Sequence, residues 1–255
     1  YTLFCFLPVL LVFIAAFTDE GAILNNGFSY FPEKWSLAGV QSVLKYGHQL
    51  LTSYAVTIFV TVFGTFLGLM VMSMFAYSIS RKGFRLSKFL SIYLLIPMLF
   101  NGGQLSGYII FTSYYHLKDS LWLLILPLCV STMNVIILRT YIANSIPNEL
   151  MEAAKIDGAN GWKTFWKITV PLLMPTIVMT VIMSINGTLQ LFDESVNLTQ
   201  GGPAYSTMTM SHYIYNNAFG QGVGKYGYAS AMSFFIFILV AILSAISMKV
   251  GDNRD

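Results

Sequence analysis

Long apolar runs alternate with polar connections along this sequence of 255 residues. A helix needs roughly 20 apolar residues to cross the hydrocarbon core of a bilayer, and these runs approach or exceed that length. The pattern therefore predicts an all-α, polytopic membrane protein with six transmembrane helices. We expect the third helix to be broken at Pro97 and at 101–104, and residues to precede Tyr1, which lies inside the first run. The predicted spans are 1–17, 50–79, 89–115, 121–142, 168–191 and 228–250.

The composition supports lipid as the main solvent. Hydrophobic residues make up 56% of the chain and charged residues only 10%, whereas soluble domains carry about 25% charged residues. The formal net charge is +3. Because the sequence has no basic patch with interleaved aromatic residues, nucleic acid is excluded as an expected partner.

Lysine and arginine are divided unevenly between alternate connections. Four lie in one set: Lys34, Lys45, Lys118 and Lys225. Ten lie in the other: Arg81, Lys82, Arg85, Lys88, Arg139, Lys155, Lys163, Lys167, Lys249 and Arg254. Cytoplasmic connections carry the excess of positive charge, so the second set is predicted to be cytoplasmic. This places external loops at 18–49 and 192–227, a cytoplasmic loop at 145–171 and a cytoplasmic tail at 251–255, around a transmembrane core of 50–250.

The cytoplasmic loop contains an unusual polar insert at 148–171. Its first half, 150–157, predicts a short helix that follows Pro147 and places Leu150, Ala153 and Ala154 on one face. Gly158 is suited to end that helix, because glycine adopts the left-handed conformation without a Cβ penalty. A second helix follows, with an aromatic stripe formed by Trp162, Phe165 and Trp166. The insert therefore predicts a helix-turn-helix between two membrane spans.

This insert resembles the EAA loop of ABC importer permeases, E-A-A-x3-G-x9-I-x-L-P, with Val170 in place of the leucine. The resemblance implies the type I ABC importer permease fold, in which the loop is a cytoplasmic coupling helix that fits a cleft of a separate ATPase. The alternative is an amphipathic helix that only lies at the membrane interface. The residues that match the motif, and to which the resemblance assigns ATPase coupling, are Glu152, Ala153, Ala154, Gly158, Ile168 and Pro171.

The resemblance also implies partners and cofactors. It predicts a second permease subunit, two ATPase subunits that bind ATP and Mg, and an external solute-binding protein, all in or at a bacterial cytoplasmic membrane. For the chain itself we expect no cofactor and no catalysis. It has no complete phosphate-binding loop and no zinc, Ser-His-Asp or paired-carboxylate pattern. The three histidines, His48, His116 and His212, fall in or beside external segments, where we expect them to be solvated.

The segment after the fifth span indicates the branch of the family. Residues 198–203, Leu-Thr-Gln-Gly-Gly-Pro, and the later Tyr213-Ile214-Tyr215 resemble segments of the maltose and glycerol-3-phosphate type, the carbohydrate-uptake group. This implies that the imported solute is a sugar or an oligosaccharide. Two alternatives remain: a permease for another solute, such as a phosphodiester or an amino acid, or an ion-driven secondary transporter. The absence of an acidic residue in the middle of a span disfavours the secondary transporter.

Polar residues within the spans are candidates for a substrate path, because polar groups in a membrane are costly and tend to be functional. By their distance from the EAA-like loop, the resemblance favours Ser131 and Asn134 before it and Ser184 and Thr188 after it. Gln104 and Tyr108, four residues apart in the third span, are further candidates. The alternative for each residue is a hydrogen bond between helices.

Overall fold

The computed structural model describes residues 2–45, 47–81, 83–100, 102–220, 222 and 224–252. Side chains at positions 2, 3, 47, 104, 148, 247 and 250–252 lie outside this description. Lys82, Arg254 and the Asn101 of the predicted helix break are likewise outside it. Within the described residues the protein is helical and contains no strand, only an isolated antiparallel bridge between Thr18 and Trp35. The prediction of an all-α fold is confirmed.

The α-helices follow one another in this order: α1 (Thr2–Ala16), α2 (Glu20–Asn26), α3 (Ala38–Lys45), α4 (Gly47–Ser80), α5 (Ser87–Leu99), α6 (Gly103–Ile109), α7 (Trp122–Ile125), α8 (Thr132–Ser145), α9 (Asn148–Ile156), α10 (Gly161–Thr164), α11 (Val170–Leu189), α12 (Met210–Phe219) and α13 (Tyr226–Asp252). Three π-helical turns, Ile110–Tyr114, Phe165–Thr169 and Ser195–Thr199, and two 3-10 turns, Leu126–Cys129 and Pro203–Tyr205, extend or connect them.

Three helices of the described chain are long and apolar enough to cross a membrane: His48–Ser80, Gly161–Leu189 and Tyr226–Ile246. A fourth crossing is formed if Trp122–Cys129 and Thr132–Ser145, which bend by 40° at their junction, are one span. The first and third predicted spans contain shorter apolar helices, Phe4–Ala16 and Ser87–Leu99. The break predicted at 101–104 is present, since α5 ends at Leu99 and α6 begins at Gly103, whereas the helix is not broken at Pro97, which lies inside α5.

These helices expose much of their apolar surface. Met179 of α11 is 61% exposed, and Ile242 and Met248 of α13 are 53% and 66% exposed. Apolar surface on this scale is not left in water by soluble proteins, and lipid is the solvent that suits it.

The chain divides into two compact units, and the first comprises Tyr1–Ile58 and Leu189–Ser244. Its core gathers residues from α1, α3, α4, α12 and α13, among them Ala16, Val43, Leu50, Met210 and Met232. The connection 18–49 was predicted as a plain loop, and that prediction missed α2 and α3. These two helices depend on contacts far along the chain: Val43 of α3 is in the core, and Glu20 of α2 accepts a hydrogen bond from the backbone of Gly227 at 3.0 Å.

The second unit comprises Phe59–Thr188 and Ala245–Asp255. Its core is built mainly by the C-terminal half of α4, by α8 and by the start of α11. The buried residues at its centre include Tyr77, Leu138, Ile142, Phe165 and Leu173. Tyr77 and Phe165 bring the helix-turn-helix insert into this core, so the insert is an integral part of the unit.

Candidate functional site

The polar insert folds as a hairpin of two helical limbs, as predicted. The first limb is α9, which begins after Pro147 and carries Glu149 in its first turn. The chain reverses at Gly158, which has φ +76°, and the amide of Ala159 bonds to the carbonyl of Ala154 at 2.8 Å. The second limb is α10 with the π turn that follows it, residues 161–169. A side chain with a positive φ is strained, so the chain requires glycine at this reversal.

The second limb begins at a cap that the sequence reasoning missed. The Oδ1 atom of Asn160 accepts a hydrogen bond from the backbone N–H of Lys163 at 2.8 Å. Asparagine is among the preferred residues at this position, because its side chain satisfies an amide that the helix leaves unpaired. The signal was therefore present in the sequence.

The first limb buries one narrow side and exposes the other. Ala154 is 7% exposed and Met151 packs against the core cluster, whereas Leu150 and Ile156 are 43% and 86% exposed. Ala153 is also exposed. Leu150, Ala153 and Ala154 lie at spacings of three and four within the helix α9, as predicted, but only Ala154 of the three is buried, because contact with the core selects Met151 and Ala154. The outer surface of α9 is left apolar.

Charged side chains border this exposed apolar surface. Glu152 and Lys155 are exposed, and both line a cleft of about 150 Å³ between α9 and the ends of α4 and α8. Glu152 makes no ion pair among the described residues. The ion pair found in the described part of the chain joins Lys34 to Asp19. The first limb thus presents an unpaired carboxylate beside Leu150 and Ile156, a combination that suits contact with another protein.

The second limb runs directly into a predicted span. Phe165 is 3% exposed and lies in the core, whereas Trp162 and Trp166 are 54% and 43% exposed. Ile168 is half-buried and Pro171 is exposed. The π turn Phe165–Thr169 lies just before Pro171, whose missing N–H leaves one carbonyl of the preceding turn without a helical donor.

Four of the predicted path residues lie together between α8 and α11. The side-chain amide of Asn134 donates to the hydroxyl of Ser184 at 3.3 Å, and the backbone N–H of Asn134 donates to the hydroxyl of Ser131 at 3.4 Å. Thr188 bonds to the carbonyl of Ser184 at 2.9 Å. Asn134 and Thr188 are 5% and 4% exposed. The pair Asn134–Ser184 forms the hydrogen bond between helices that was the alternative reading.

The other two path candidates are not joined to this cluster. Tyr108 is half-buried on α6, and no described contact links its side chain to Asn134 or Ser184. The side chain of Gln104 lies outside the described residues. A role of these residues in substrate passage stays a prediction.

A buried polar cluster in the first unit was not predicted. His212 is 5% exposed, so the expectation that it is solvated was wrong, whereas His48 and His116 are exposed as expected. The Nδ1 atom of His212 is 3.0 Å from the hydroxyl of Ser195, which also accepts a hydrogen bond from the amide of Thr209 at 3.3 Å. Burial lowers the pKa of His212, and a hydrogen bond of the ring to the backbone of Ser195 opposes that shift.

The sharp turn predicted from Gly-Gly-Pro connects the two sides of this cluster. Gly201 and Gly202 have φ +85° and +64°, and positive φ values continue at Ala204 and Tyr205. The amide of Thr207 bonds to the carbonyl of Gly201 at 3.0 Å. The chain thereby reverses and brings His212 back to Ser195.

The sequence matches one protein family and is similar to known transport proteins. The family model described as "Binding-protein-dependent transport system inner membrane component" matches residues 60–254. The polygalacturonan/rhamnogalacturonan transport system permease protein YtcP of Bacillus subtilis (strain 168) is 34% identical over 172 residues, which cover 68% of this chain and 59% of that protein. The lactose transport system permease protein LacF of Rhizobium radiobacter is 41% identical over 112 residues, 43% of this chain and 37% of that protein. The matched region therefore covers 59% of the length of YtcP and 37% of the length of LacF.

Two solved structures have the same fold. A bacterial ABC transporter involved in the import of the acidic polysaccharide alginate has a chain that matches with a TM-score of 0.83 at 22% identity, over 97% of this chain and 91% of that chain. A bacterial alginate ABC transporter in complex with an alginate pentasaccharide-bound periplasmic protein matches with a TM-score of 0.69 at 17% identity, over 96% and 89%. The helical permease architecture is therefore shared.

Proposed function

The chain belongs to the family of binding-protein-dependent transport system inner membrane components, and from this premise we propose that it is a permease subunit of an ATP-driven importer for a sugar or an oligosaccharide. The observation that carries the proposal is the hairpin, with exposed Leu150 and Ile156 beside the unpaired carboxylate of Glu152. An isolated membrane helix bundle does not require such an exposed surface. A protein partner that supplies a cation and an apolar cleft would cover it.

The proposed partner at this surface is an ATPase. The chain is a member of a family of transport components, and in this proposal ATP and Mg²⁺ are bound and ATP is hydrolysed in two separate ATPase subunits. The hairpin couples their closure to alternating access of the path through the membrane. Glu152 makes the polar contact, and Ala153 and Gly158 let the partner's backbone approach closely. Ile168 lies in the turn just before α11, and Pro171 lies in the first turn of α11. Movement of the hairpin is therefore passed to that helix.

Further partners are proposed from the relatives. One of the alginate transporter structures contains a periplasmic protein that carries an alginate pentasaccharide, and this supports a solute-binding protein as the partner on the external side. We also propose a second permease subunit, which completes the path. The apolar helices indicate a multi-pass membrane protein, and the family supports a bacterial cytoplasmic membrane as its location.

The proposed substrate class rests on the polar side chains and on the relatives. Asn134, Ser184 and Thr188 are neutral donors and acceptors of the kind that bind sugar hydroxyls. The relatives are named as transport proteins for lactose, a neutral sugar, and for polygalacturonan, an acidic one. Both neutral and acidic saccharides therefore remain as candidates, with the neutral class favoured by the uncharged cluster.

Reconstitution tests this function. The chain is co-expressed with its neighbouring transport genes, the complex is purified, and its subunits are identified by mass. Uptake of labelled neutral and acidic oligosaccharides into proteoliposomes is measured with and without internal ATP and with the binding protein outside. We expect a bound ATPase and uptake that requires ATP and the binding protein. Uptake that follows an ion gradient, with no ATPase in the purified complex, would overturn the proposal.

A further inference from the structure

The last turn of α4 is bonded to the start of the second limb of the hairpin. The hydroxyl of Tyr77 donates to the carbonyl of Gly161, the first residue of α10, at 3.3 Å. The ring of Tyr77 packs against Phe165, with ring centroids 5.2 Å apart. Tyr77 is 9% exposed. Its side chain therefore holds the second limb by a polar contact at one end and an apolar contact along the ring.

Arg81, one turn further along the chain, holds Tyr77 in place. Its Nη2 atom donates a hydrogen bond to the hydroxyl of Tyr77, and its guanidinium carbon lies 4.7 Å from the centroid of the Tyr77 ring. The same Nη2 atom lies 4.0 Å from the sulfur of Met151 on the first limb. A tyrosine hydroxyl has one proton to donate, and since it accepts from Arg81, that proton is directed to Gly161.

The two limbs meet α4 in different ways. The second limb is packed against Tyr77 through Phe165, whereas the cleft of about 150 Å³ lies beside Arg81 and is lined by Glu152 and Lys155 of the first limb. The Nε atom of Arg81 is buried without a hydrogen-bond partner among the described residues. An unpaired buried donor is unfavourable, and the cleft gives this side chain room for a second arrangement.

We propose that Tyr77 and Arg81 form a latch that passes movement of the hairpin to α4, which makes them positioning residues for coupling. This inference rests on the proposed function, because it needs an ATPase that displaces the hairpin. When the second limb moves, it displaces α4 through its contact with Tyr77. Arg81 keeps the hydroxyl of Tyr77 directed at Gly161. The first limb has room to move, because the cleft lined by Glu152 and Lys155 lies between it and the end of α4. Residues 59–80 of α4 belong to the same compact unit as the hairpin, so a displacement at the last turn of α4 is passed to this part of the helix.

The test removes one oxygen atom. Tyr77→Phe keeps the ring against Phe165 and loses both hydrogen bonds of the hydroxyl. The matched control is Tyr141→Phe, because Tyr141 packs against the same core cluster and its hydroxyl makes no hydrogen bond among the described residues. We measure substrate taken up per ATP hydrolysed in proteoliposomes with the binding protein present. Tyr77→Phe should lower this ratio about three- to tenfold, as expected for losing one or two such bonds, and Tyr141→Phe should keep the wild-type ratio.

A double-mutant cycle separates a latch from two unrelated packing residues. Arg81→Met keeps the length of the side chain and removes its donors, and it should lower the ratio as Tyr77→Phe does. If the two residues act as one unit, the double variant loses no more than the stronger single variant. Independent losses that multiply in the double variant would overturn the latch.

The remaining outcomes are also decisive. The latch is overturned if Tyr77→Phe and Tyr141→Phe take up the same amount of substrate per ATP hydrolysed. The proposed function still stands in that case, provided that the wild-type complex contains the ATPase and shows normal uptake. A wild-type chain with no ATPase overturns both. If Tyr77→Phe does not assemble, Arg81→Met decides alone, because Arg81 is only half-buried, and an unchanged ratio in that variant rejects the latch.

Discussion

The side-chain amide of Asn134 donates a hydrogen bond to the hydroxyl of Ser184 over 3.3 Å and joins α8 to α11. These two helices flank the hairpin in sequence, one before it and one after it. A contact between them therefore joins the segment before the hairpin to α11, the helix after it, which the hairpin is proposed to move. It also holds the side chain of Asn134, which is 5% exposed.

Replacing Asn134 by leucine should impair uptake. The change leaves the hydroxyl of Ser184 without its partner, at a cost of roughly 1–3 kcal/mol, and removes an amide that a sugar could bind. We expect uptake to fall at least about tenfold while the subunits still co-purify. The control is Thr180→Val, because Thr180 lies on α11, is not a path candidate, and the described bonds of its hydroxyl go to carbonyls of its own helix. Normal uptake by Asn134→Leu would show that this residue neither binds substrate nor positions the helices.

The carboxylate of Glu20 should stabilise the start of α13. It accepts hydrogen bonds from the backbone amides of Tyr226 and Gly227, two of the amides that a helix leaves unpaired at its N-terminus. Glu20→Gln removes the charge and one acceptor, which costs about 1 kcal/mol. The unfolding temperature of the purified protein should fall by roughly 2–4 °C.

Glu33→Gln provides the control for this measurement. Glu33 is exposed and accepts a hydrogen bond at 2.8 Å from the side chain of Asn26, and the described hydrogen bonds of its carboxylate include none from the backbone amides of a helix N-terminus. Its replacement should leave the unfolding temperature almost unchanged. Equal shifts in the two variants would mean that Glu20 contributes no special cap.

The buried His212 should make stability depend on pH. Burial lowers its pKa below the ordinary value of 6.5, so the unfolded chain binds a proton at a higher pH than the folded chain does. Stability is therefore complete above 6.5 and is lost as the pH falls from 6.5 toward the lowered pKa of the folded state. The unfolding temperature should drop on acidification from about pH 7.5 to about pH 5.5.

His212→Asn is the informative variant, because its side-chain amide can either donate a hydrogen bond to Ser195 or accept one from it, but does not titrate. We expect a smaller drop on acidification than in the wild type. His48 and His116 are exposed and are present in both proteins, so they do not affect the comparison. Identical pH dependence in both proteins would show that His212 is already protonated without cost in the fold.

The features that the sequence predicted well are those set by local rules. Apolar runs mark helices because the backbone must pair its own hydrogen bonds in lipid, and Gly158 marks a chain reversal because a positive φ is cheap only for glycine. Ser131, Asn134, Ser184 and Thr188 were selected by their distance from the hairpin, and hydrogen bonds join them in the structure; their role in substrate passage stays a prediction.

The features that were missed depend on residues far apart in the chain. His212 is buried because a turn of positive-φ residues returns it to Ser195, 17 residues earlier. α2 is held by a bond from Glu20 to an amide 207 residues away. Tyr77 meets Gly161 across 84 residues. Periodicity reports which face of a helix is apolar, but it does not report which partner covers that face, and this is also why the packing of Met151 and Ala154 against the core was not predicted.

The orientation in the membrane can be tested by labelling. The charge distribution predicts that Lys163 is cytoplasmic and Tyr205 external. Lys163 is exposed and Tyr205 is 51% exposed, so a cysteine at either position is open to a reagent on its own side. Cys5 is exposed and should first be replaced by serine, whereas Cys129 is buried. In intact cells an impermeant maleimide should modify position 205 and spare position 163, and the reverse pattern would reject the orientation.

The hairpin itself provides the final prediction. Gly158 has φ +76° and nothing within 4 Å of an added Cβ, so Gly158→Val meets no clash within the described chain. Its cost is backbone strain, on the order of 1–3 kcal/mol, together with bulk on a surface proposed to contact the ATPase. The matched control is Gly161→Ala, which also has free space around the added Cβ and has no positive φ. Glu152→Lys tests the carboxylate in the same way, with Glu152→Gln as the variant that removes charge alone.

We expect Gly158→Val and Glu152→Lys to remain inserted in the membrane and to lose the ATPase or its stimulation by the binding protein, with apparent affinity weakened about ten- to a hundredfold. Gly161→Ala should behave like the wild type, and Glu152→Gln should lie between. The measurement is ATPase co-purification together with stimulated hydrolysis in reconstituted membranes. Leu150, Glu152 and Ile156 are exposed on the limb that ends just before Gly158, so a distorted reversal misplaces all three at once. If both variants keep a bound and fully stimulated ATPase, the exposed face of α9 serves the membrane interface and not a protein partner.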